Sequence, residues 1–277
     1  MIGRTAAVVA LALAVAAGWI APAHADIEAW ERHFNAGLEA EARGEFPAAI
    51  KSFEASITEA EGLPSKDPFP LVISLNKLAG MYRNTGQIGK AESVYKKALG
   101  LVDGIFTKHP LGIAATLNGL AGLYQGQGRF KEAESFYKRA IEIDEKTLDV
   151  NDARRARNLI GIGDLYLAFG QIPRAADYYV RSLRILEKVL GADHRDLVEP
   201  VTGLATVAFT NGQLGQAERL YKRALSIQEK TLGADHCDLR RTLTSFASIL
   251  QAGGSDEDAE PLIKRAESLD QKCGAGG

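Results

Sequence analysis

The chain has 277 residues, and its 33 Lys and Arg nearly balance 35 Asp and Glu, which gives a formal net charge of −2. Nucleic acids and anionic membrane surfaces attract proteins through basic faces, so this balance argues against both kinds of partner. Only two cysteines are present, which excludes a small fold built on many disulfides.

The first 25 residues have the pattern of a secretory signal peptide. Arg4 precedes an apolar, alanine-rich run over residues 6–20, and Ala23-His24-Ala25 offers small residues around a cleavage position. The run is short for a membrane span, and no comparable run follows it. We therefore predict a bacterial periplasmic or secreted protein whose mature chain begins at Asp26 and is not inserted in the membrane. Retention of the leader as an anchor is the alternative.

The rest of the chain repeats at a constant interval of 42 residues. Glycine recurs at Gly44, Gly86, Gly128, Gly170, Gly212 and Gly254. A large side chain recurs at Phe53, Tyr95, Tyr137, Tyr179, Tyr221 and Ile263. Each interval contains two stretches with helical apolar spacing, separated by the glycine, at which a helix can end with positive φ. Pro47 and Pro173 follow that glycine by three residues, where proline is tolerated in the first turn of a second helix. The period predicts an all-α fold of six helix pairs over residues 26–273, with residues 274–277 as a flexible tail.

The pattern within each interval resembles the tetratricopeptide repeat. It is carried in the second interval by Leu78, Ala79, Tyr82, Ala91, Tyr95 and Ala98. The 42-residue length and the segment LGADHRDL at 190–197 resemble the kinesin-light-chain type of this repeat. The resemblance implies a right-handed superhelical solenoid of six antiparallel helix pairs, whose first helices line a concave groove.

The segment LGADHRDL returns as LGADHCDL at 232–239, which marks it as a joint between helix pairs. We expect Gly191 to end one helix and Asp196 to cap the next, with Glu199 completing a capping box. His194 and His236 occupy the same position of successive joints. Because the earlier joints carry Asp152 and Pro110 at that position, we expect structural hydrogen bonds from these histidines and no metal site. No cofactor is predicted.

No motif in the chain points to catalysis. The glycines fall singly at helix ends and do not form a phosphate-binding loop, and no serine has a nucleophile-elbow setting. We therefore predict a non-catalytic scaffold or adaptor that binds a protein or an extended peptide. Two alternatives stay open: a small-ligand binder or enzyme that uses the groove, and an envelope assembly factor that self-associates.

The resemblance places a set of polar side chains on the groove side of the first helices. These candidate partner-binding residues are Asn76, Arg83, Asn84, Asn118, Gln125, Arg157, Asp164, Thr202 and Arg241. Asn76 and Asn118 lie one period apart, and one amide can both donate to and accept from a peptide backbone. The alternative is that these residues merely supply a solvated face. The set lacks the dense Lys and Arg expected of a clamp for a C-terminal carboxylate.

The two cysteines belong to the sixth helix pair. Cys237 precedes its first helix and Cys273 ends its second, so antiparallel packing brings both to the same end of the pair. We predict a candidate disulfide in the oxidising compartment that the leader implies. Two free thiols in a frayed terminus are the alternative.

Overall fold

The computed structural model describes residues 23–64, 67–102 and 110–274. Within these ranges the chain forms twelve α-helices and one short 3-10 helix at Arg195–Leu197, and it forms no strand. The helices are α1 Ala23–Ala42, α2 Phe46–Gly62, α3 Phe69–Asn84, α4 Ile88–Val102, α5 Pro110–Gly126, α6 Phe130–Thr147, α7 Arg154–Ala168, α8 Ile172–Leu190, α9 Val198–Thr210, α10 Leu214–Leu232, α11 Leu239–Ala252 and α12 Asp256–Gly274.

The all-α helical-repeat fold predicted from the 42-residue period is confirmed. Pairs 1 to 6 are α1–α2, α3–α4, α5–α6, α7–α8, α9–α10 and α11–α12. The chain divides into two compact units, one ending at Gly119 and one beginning at Leu120, so the boundary lies within α5. That all six pairs form one continuous array remains a prediction.

Both ends of the predicted domain layout stay untested. Residues 1–22, which hold most of the predicted signal peptide, and residues 275–277 of the predicted tail lie outside the described residues. Helix α1 begins at Ala23, before the predicted mature start. Among the described residues, no helix has both the length and the apolar character that a membrane span requires.

A left-handed glycine closes the turn inside every pair, as predicted. The six turn glycines have φ between 72° and 79°. In pair 2 the Gln87 amide donates to the Tyr82 carbonyl across Gly86 at 2.8 Å, which is the long bond of a Schellman turn. The second helix therefore starts within a few residues of the first helix's end, with Pro47 and Pro173 in the first turns of α2 and α8.

From pair 2 to pair 5, consecutive pairs meet where an aromatic ring packs on a glycine. Tyr137 of α6 is 4% exposed, and a Cβ added to Gly161 of α7 would lie 2.4 Å from its ring. The same contact joins Tyr95 to Gly119, at 2.3 Å, and Tyr179 to Gly203, at 2.5 Å. No side chain fits between ring and backbone at these three places, so glycine sets how closely the next pair approaches.

A ladder of ion pairs links second helices of consecutive pairs at a separation of 36 residues. Its described members are Glu61–Lys97 at 2.7 Å, Glu145–Arg181 at 3.3 Å, Glu187–Arg223 at 2.6 Å and Glu229–Arg265 at 2.5 Å. Partly exposed pairs of this kind contribute about 0–1 kcal/mol each, so the ladder reinforces the register that the buried contacts set. The next positions at the two ends of this pattern hold Ala55 and Gln271, which carry no charge.

The capping-box prediction for the joint is wrong. Asp196 lies inside the 3-10 helix, and α9 begins at Val198 without a side-chain cap. The imidazole of His194 takes the capping role instead, because its Nδ1 accepts from the Asp196 amide at 3.2 Å. His236 repeats this bond to the Asp238 amide at 3.2 Å. Gly191 ends α8 with a φ of 87°, as predicted.

The two cysteines are joined in the last pair. Cys237 lies in the joint before α11, Cys273 lies in the last turn of α12, and their Cα atoms are 6.2 Å apart with the sulfur atoms bonded. This separation falls within the range of protein disulfides. The bond therefore ties the start of the sixth pair to its end.

We predict that Gly161→Ala destabilises the protein by about 1–3 kcal/mol, because the new methyl group would overlap the Tyr137 ring. Urea denaturation followed by circular dichroism measures the change. Gly215→Ala is the matched control, since only the end of the Arg219 side chain comes within 4 Å of its added methyl group. The control should stabilise α10 by up to about 1 kcal/mol through helix propensity. Equal effects of the two changes would contradict the ring-on-glycine constraint.

We also predict that Cys237 and Cys273 are oxidised in the protein isolated from its native compartment. Closing this loop should stabilise the last pair by roughly 3–4 kcal/mol. Intact mass before and after reduction, with thiol alkylation under denaturing conditions, counts the free thiols. Two alkylated cysteines in the unreduced sample would show that the bond does not form.

Candidate functional site

The predicted residues of the first compact unit lie along α3 and α5. Asn76 is half-buried, and its Nδ2 donates to the Gly112 carbonyl at 3.4 Å, while its buried Oδ1 has no hydrogen-bond partner among the described residues. Asn118 is half-buried one period later, and Arg83 and Asn84 are exposed at the end of α3. The amide of Asn76 thus keeps an unused acceptor.

Between Asn76 and Arg83 the surface of α3 is open at Gly80. A Cβ added there would meet only the Tyr95 hydroxyl within 4 Å, at 3.9 Å. A ligand backbone could approach the helix closely at this point, with the amide one turn before it and the guanidinium about one turn after it. This geometry suits a chain that lies across the helix.

In the second compact unit the hydroxyls of the repeated tyrosines reach polar residues on the first helices. Tyr137 donates to Gln125 Oε1 at 3.2 Å, Tyr179 donates to Asp164 Oδ1 at 2.5 Å, and Tyr221 shares a bond of 3.1 Å with Thr206. The predicted residues Gln125 and Asp164 therefore contact the core rings. Arg157 is exposed.

Three of the predicted residues, Asp164, Thr202 and Arg241, line one cavity of about 290 Å³. The wall of the cavity also contains Tyr179, Glu199 and Tyr221. The sequence analysis treated the two tyrosines as repeated large side chains and Glu199 as part of a capping box. The wall is drawn from α7, α8, α9, α10 and α11, so packing of three successive pairs forms the cavity.

The carboxyl group of Asp164 is strongly perturbed. Burial raises its pKa to about 6, and nearby Glu199 adds to the rise, while the hydrogen bond from Tyr179 and the charge of Arg241 oppose it. Burial, followed by the negative charge of Asp164, also raises the pKa of Tyr179 far above its usual range, so this hydroxyl stays protonated and acts as a donor.

Glu199 and Arg241 contribute charges that the fold leaves unpaired. Both side chains are exposed, and neither has an ion-pair partner within the described part of the chain. The two residues lie 42 residues apart, at the position that Arg157 fills in pair 4. That periodicity could have identified Glu199 from the sequence, where it was assigned to a cap.

The groups that line the cavity offer hydrogen bonds and charge. Among the described residues, no group of three or more His, Cys, Asp or Glu is placed to hold a metal ion. Asp164 has a perturbed pKa, yet the residues around it are hydroxyl groups, a second carboxylate and a guanidinium. Such a cavity is suited to recognition of a polar or charged group.

We predict that Asp164→Asn stabilises the protein at high pH. Because the folded pKa lies above the unfolded value, the folded state binds more protons, and wild-type stability falls as pH rises from about 4 to about 6. The amide should therefore add on the order of 2 kcal/mol at pH 8 and much less at pH 4. Denaturation of the variant and the wild type at both pH values measures this difference.

The matched control for that prediction is Asp177→Asn on α8, where the side chain is 65% exposed. This change should alter stability little at either pH. A gain for Asp164→Asn that is equal at pH 4 and pH 8 would show that ionisation of the buried carboxyl is not its cause.

Solved structures similar to this chain share its fold. BtubC (BKLC) from P. vanneervenii is 23% identical, with a TM-score of 0.69 over 83% of this chain and 92% of that chain. A Podospora anserina protein with nearly identical TPR-like repeats of the kinesin light chain kind is 24% identical, with a TM-score of 0.60 over 76% and 99%. A Rap protein complexed with Competence and Sporulation Factor is 17% identical, with a TM-score of 0.62 over 88% and 75%.

Sequence comparison reaches the same family. No curated protein matches the chain. Profiles of the tetratricopeptide repeat match residues 73–101, 112–188 and 198–272, which together make up more than half of the chain. The resemblance seen in the 42-residue period is thereby confirmed, and the chain belongs to the tetratricopeptide repeat family, whose helical scaffolds typically serve protein–protein interaction.

Proposed function

We propose that this protein is an exported, non-catalytic adaptor that binds an extended segment of a partner protein along its first helices. The observation that carries the proposal is the open surface at Gly80, with the half-buried amide of Asn76 before it and the exposed Arg83 after it. A peptide backbone supplies both donors and acceptors, and an asparagine amide matches both. The recurrence of the amide at Asn118 extends the same recognition to α5.

Export is supported by the leader pattern of residues 1–25. A cleaved leader would place the repeats in the envelope or outside the cell, and the partner would then be an envelope or secreted protein.

A small ligand is the second candidate, and the cavity near Asp164 favours it. Pockets for drug-sized ligands typically span about 300–1,000 Å³. This cavity of about 290 Å³ lies at the lower limit of that range, so it suits a single chemical group better than a whole cofactor.

End-to-end self-association receives less support. If a second copy continued the array, the ion-pair ladder could continue only with an acid at position 271 and a base at position 55. Gln271 and Ala55 stand there instead. The two ends of the ladder thus lack the charged side chains that form ion pairs between second helices elsewhere in the chain.

We predict that changing Asn76 and Asn118 together to Ala weakens partner capture while helical content and melting midpoint stay nearly unchanged. Crosslinking in the native envelope, followed by mass spectrometry of captured proteins, compares the variant with the wild type. Lys131→Ala with Gln216→Ala is the matched control, since both residues are exposed on second helices. Undiminished capture by the asparagine variant would place the interface elsewhere.

A further inference from the structure

We propose that the cavity around Asp164 is a subsite for one basic side chain, arginine or lysine, of the bound partner segment. Asp164 and Glu199 accept hydrogen bonds from the cationic group, and Arg241 binds a carbonyl oxygen of the adjoining backbone. The inference rests on the proposed binding of an extended segment. It specifies that the part of the segment beside the cavity carries a basic residue.

The dimensions of the cavity suit a side chain. Its volume of about 290 Å³ is small for a complete ligand, and Leu167 contributes apolar surface beside the polar groups. Arginine and lysine combine an aliphatic stem with a charged end, so the stem can contact leucine while the end reaches a carboxylate.

Charge favours a cation over an anion. The charged groups that line the cavity are Asp164 from α7, Glu199 from α9 and Arg241 from α11, with the neutral hydroxyls of Tyr179 and Tyr221 from α8 and α10. Two carboxylates against one guanidinium leave a net negative cavity when all three are ionised. An anionic occupant would face both carboxylates, and a neutral one would leave them unpaired.

The charges within the cavity do not satisfy one another. In the described residues Arg241 forms no ion pair with Asp164 or Glu199, and the Asp164 carboxyl accepts a hydrogen bond from Tyr179 at Oδ1. A carboxylate that is partly removed from water and has no ion-pair partner interacts more strongly with an incoming cation than an exposed one does. Asp164 can therefore form an ion pair with a basic side chain of the partner.

The other pairs show that the fold does not require Asp164. The same position holds Gly80, Gly122, Thr206 and Ser248 at steps of 42 residues. In pair 5 a threonine serves as partner for the tyrosine hydroxyl, so a neutral side chain is sufficient there. At this position neutral residues suffice, yet pair 4 has a half-buried carboxylate that lowers stability at neutral pH. Residues that lower stability without a structural need are typical of binding sites.

The pH dependence of binding follows from the same groups. A cation binds the ionised carboxylate in preference to the neutral acid, so affinity should rise as pH increases through about 6, where burial places the pKa of Asp164. Glu199 and Arg241, the other charged groups that line the cavity, are exposed.

A titration with small probes tests the subsite directly. Nα-acetyl-arginine-N-methylamide and its lysine counterpart are added to isotopically labelled full-length protein, and amide chemical shifts of Thr202 and Thr206 are followed. The uncharged citrulline analogue is the matched probe. We expect saturable shifts with at least one cationic probe and none with citrulline, and the comparison of arginine with lysine identifies the preferred cation.

Variants assign the binding to the carboxylate. Asp164→Asn should weaken binding of the cationic probe about tenfold or more, as expected for loss of a charged hydrogen bond, and should abolish its dependence on pH between 5 and 7.5. Asp177→Asn, on the exposed surface of α8, should bind as the wild type does. Glu199→Gln alters an exposed residue and should weaken binding by a smaller factor, which keeps the test valid if Asp164→Asn unfolds.

Equal responses to arginine, lysine and citrulline probes, or unchanged affinity in both Asp164→Asn and Glu199→Gln, would overturn the proposal. Envelope crosslinking of Asp164→Asn and of Asn76→Ala with Asn118→Ala separates failure of the subsite from failure of the adaptor function. If Asn76→Ala with Asn118→Ala loses partners while the probes do not bind, the adaptor stands and the subsite is wrong. If the probes bind and no groove variant loses partners, the cation site stands and the adaptor proposal is wrong.

Discussion

The packing of an aromatic ring on a bare glycine backbone is the contact on which this structure depends. At Tyr95–Gly119, Tyr137–Gly161 and Tyr179–Gly203 the ring of one helix pair occupies the space that a side chain would otherwise take on the next pair. Close packing of this kind leaves little freedom in separation or register. The ion pairs at intervals of 36 residues then form on surfaces that are already aligned.

The same contact delivers polar groups to the candidate site. Tyrosine rings that pack on glycine direct their hydroxyls past the core, where Gln125 meets Tyr137 and Asp164 meets Tyr179. The chemistry of the surface is therefore linked to the packing of the interior. Only the partner of the hydroxyl varies between pairs, and in pair 4 that partner is a carboxyl group whose pKa is raised by burial. A change of the residue that meets the tyrosine hydroxyl therefore alters the chemistry of the binding surface and leaves the helix packing unchanged.

The sequence predicted most of the fold because the repeat supplies the same information six times. The left-handed turn at Gly86 and the end of α8 at Gly191 follow from local chemistry that each interval repeats. The predicted cap at Asp196 is wrong because a three-residue 3-10 helix precedes α9, and the imidazole of His194 caps that 3-10 helix instead. Such a shift depends on geometry that residue types alone do not fix.

The site was harder to predict for a related reason. Asp164, Thr202 and Arg241 were identified from their helix positions, but the cavity they share forms only when five consecutive helices pack together. Glu199 was missed because a capping pattern explained it locally, although its spacing to Arg157 and Arg241 indicated a shared face. Burial of the Asp164 carboxyl arises from its neighbours, so no pattern within α7 reveals it.

At Tyr95–Gly119, Tyr137–Gly161 and Tyr179–Gly203 the ring and the glycine that receives it belong to different helix pairs, and this has a consequence for how such a chain changes length. Gain or loss of a whole 42-residue unit through unequal recombination keeps these rings facing glycines. A crossover that is out of phase by even one residue turns the glycine away and places a side chain against the ring. Genes for arrays of this kind should therefore lengthen and shorten in complete units, and short insertions should be confined to the joints between pairs.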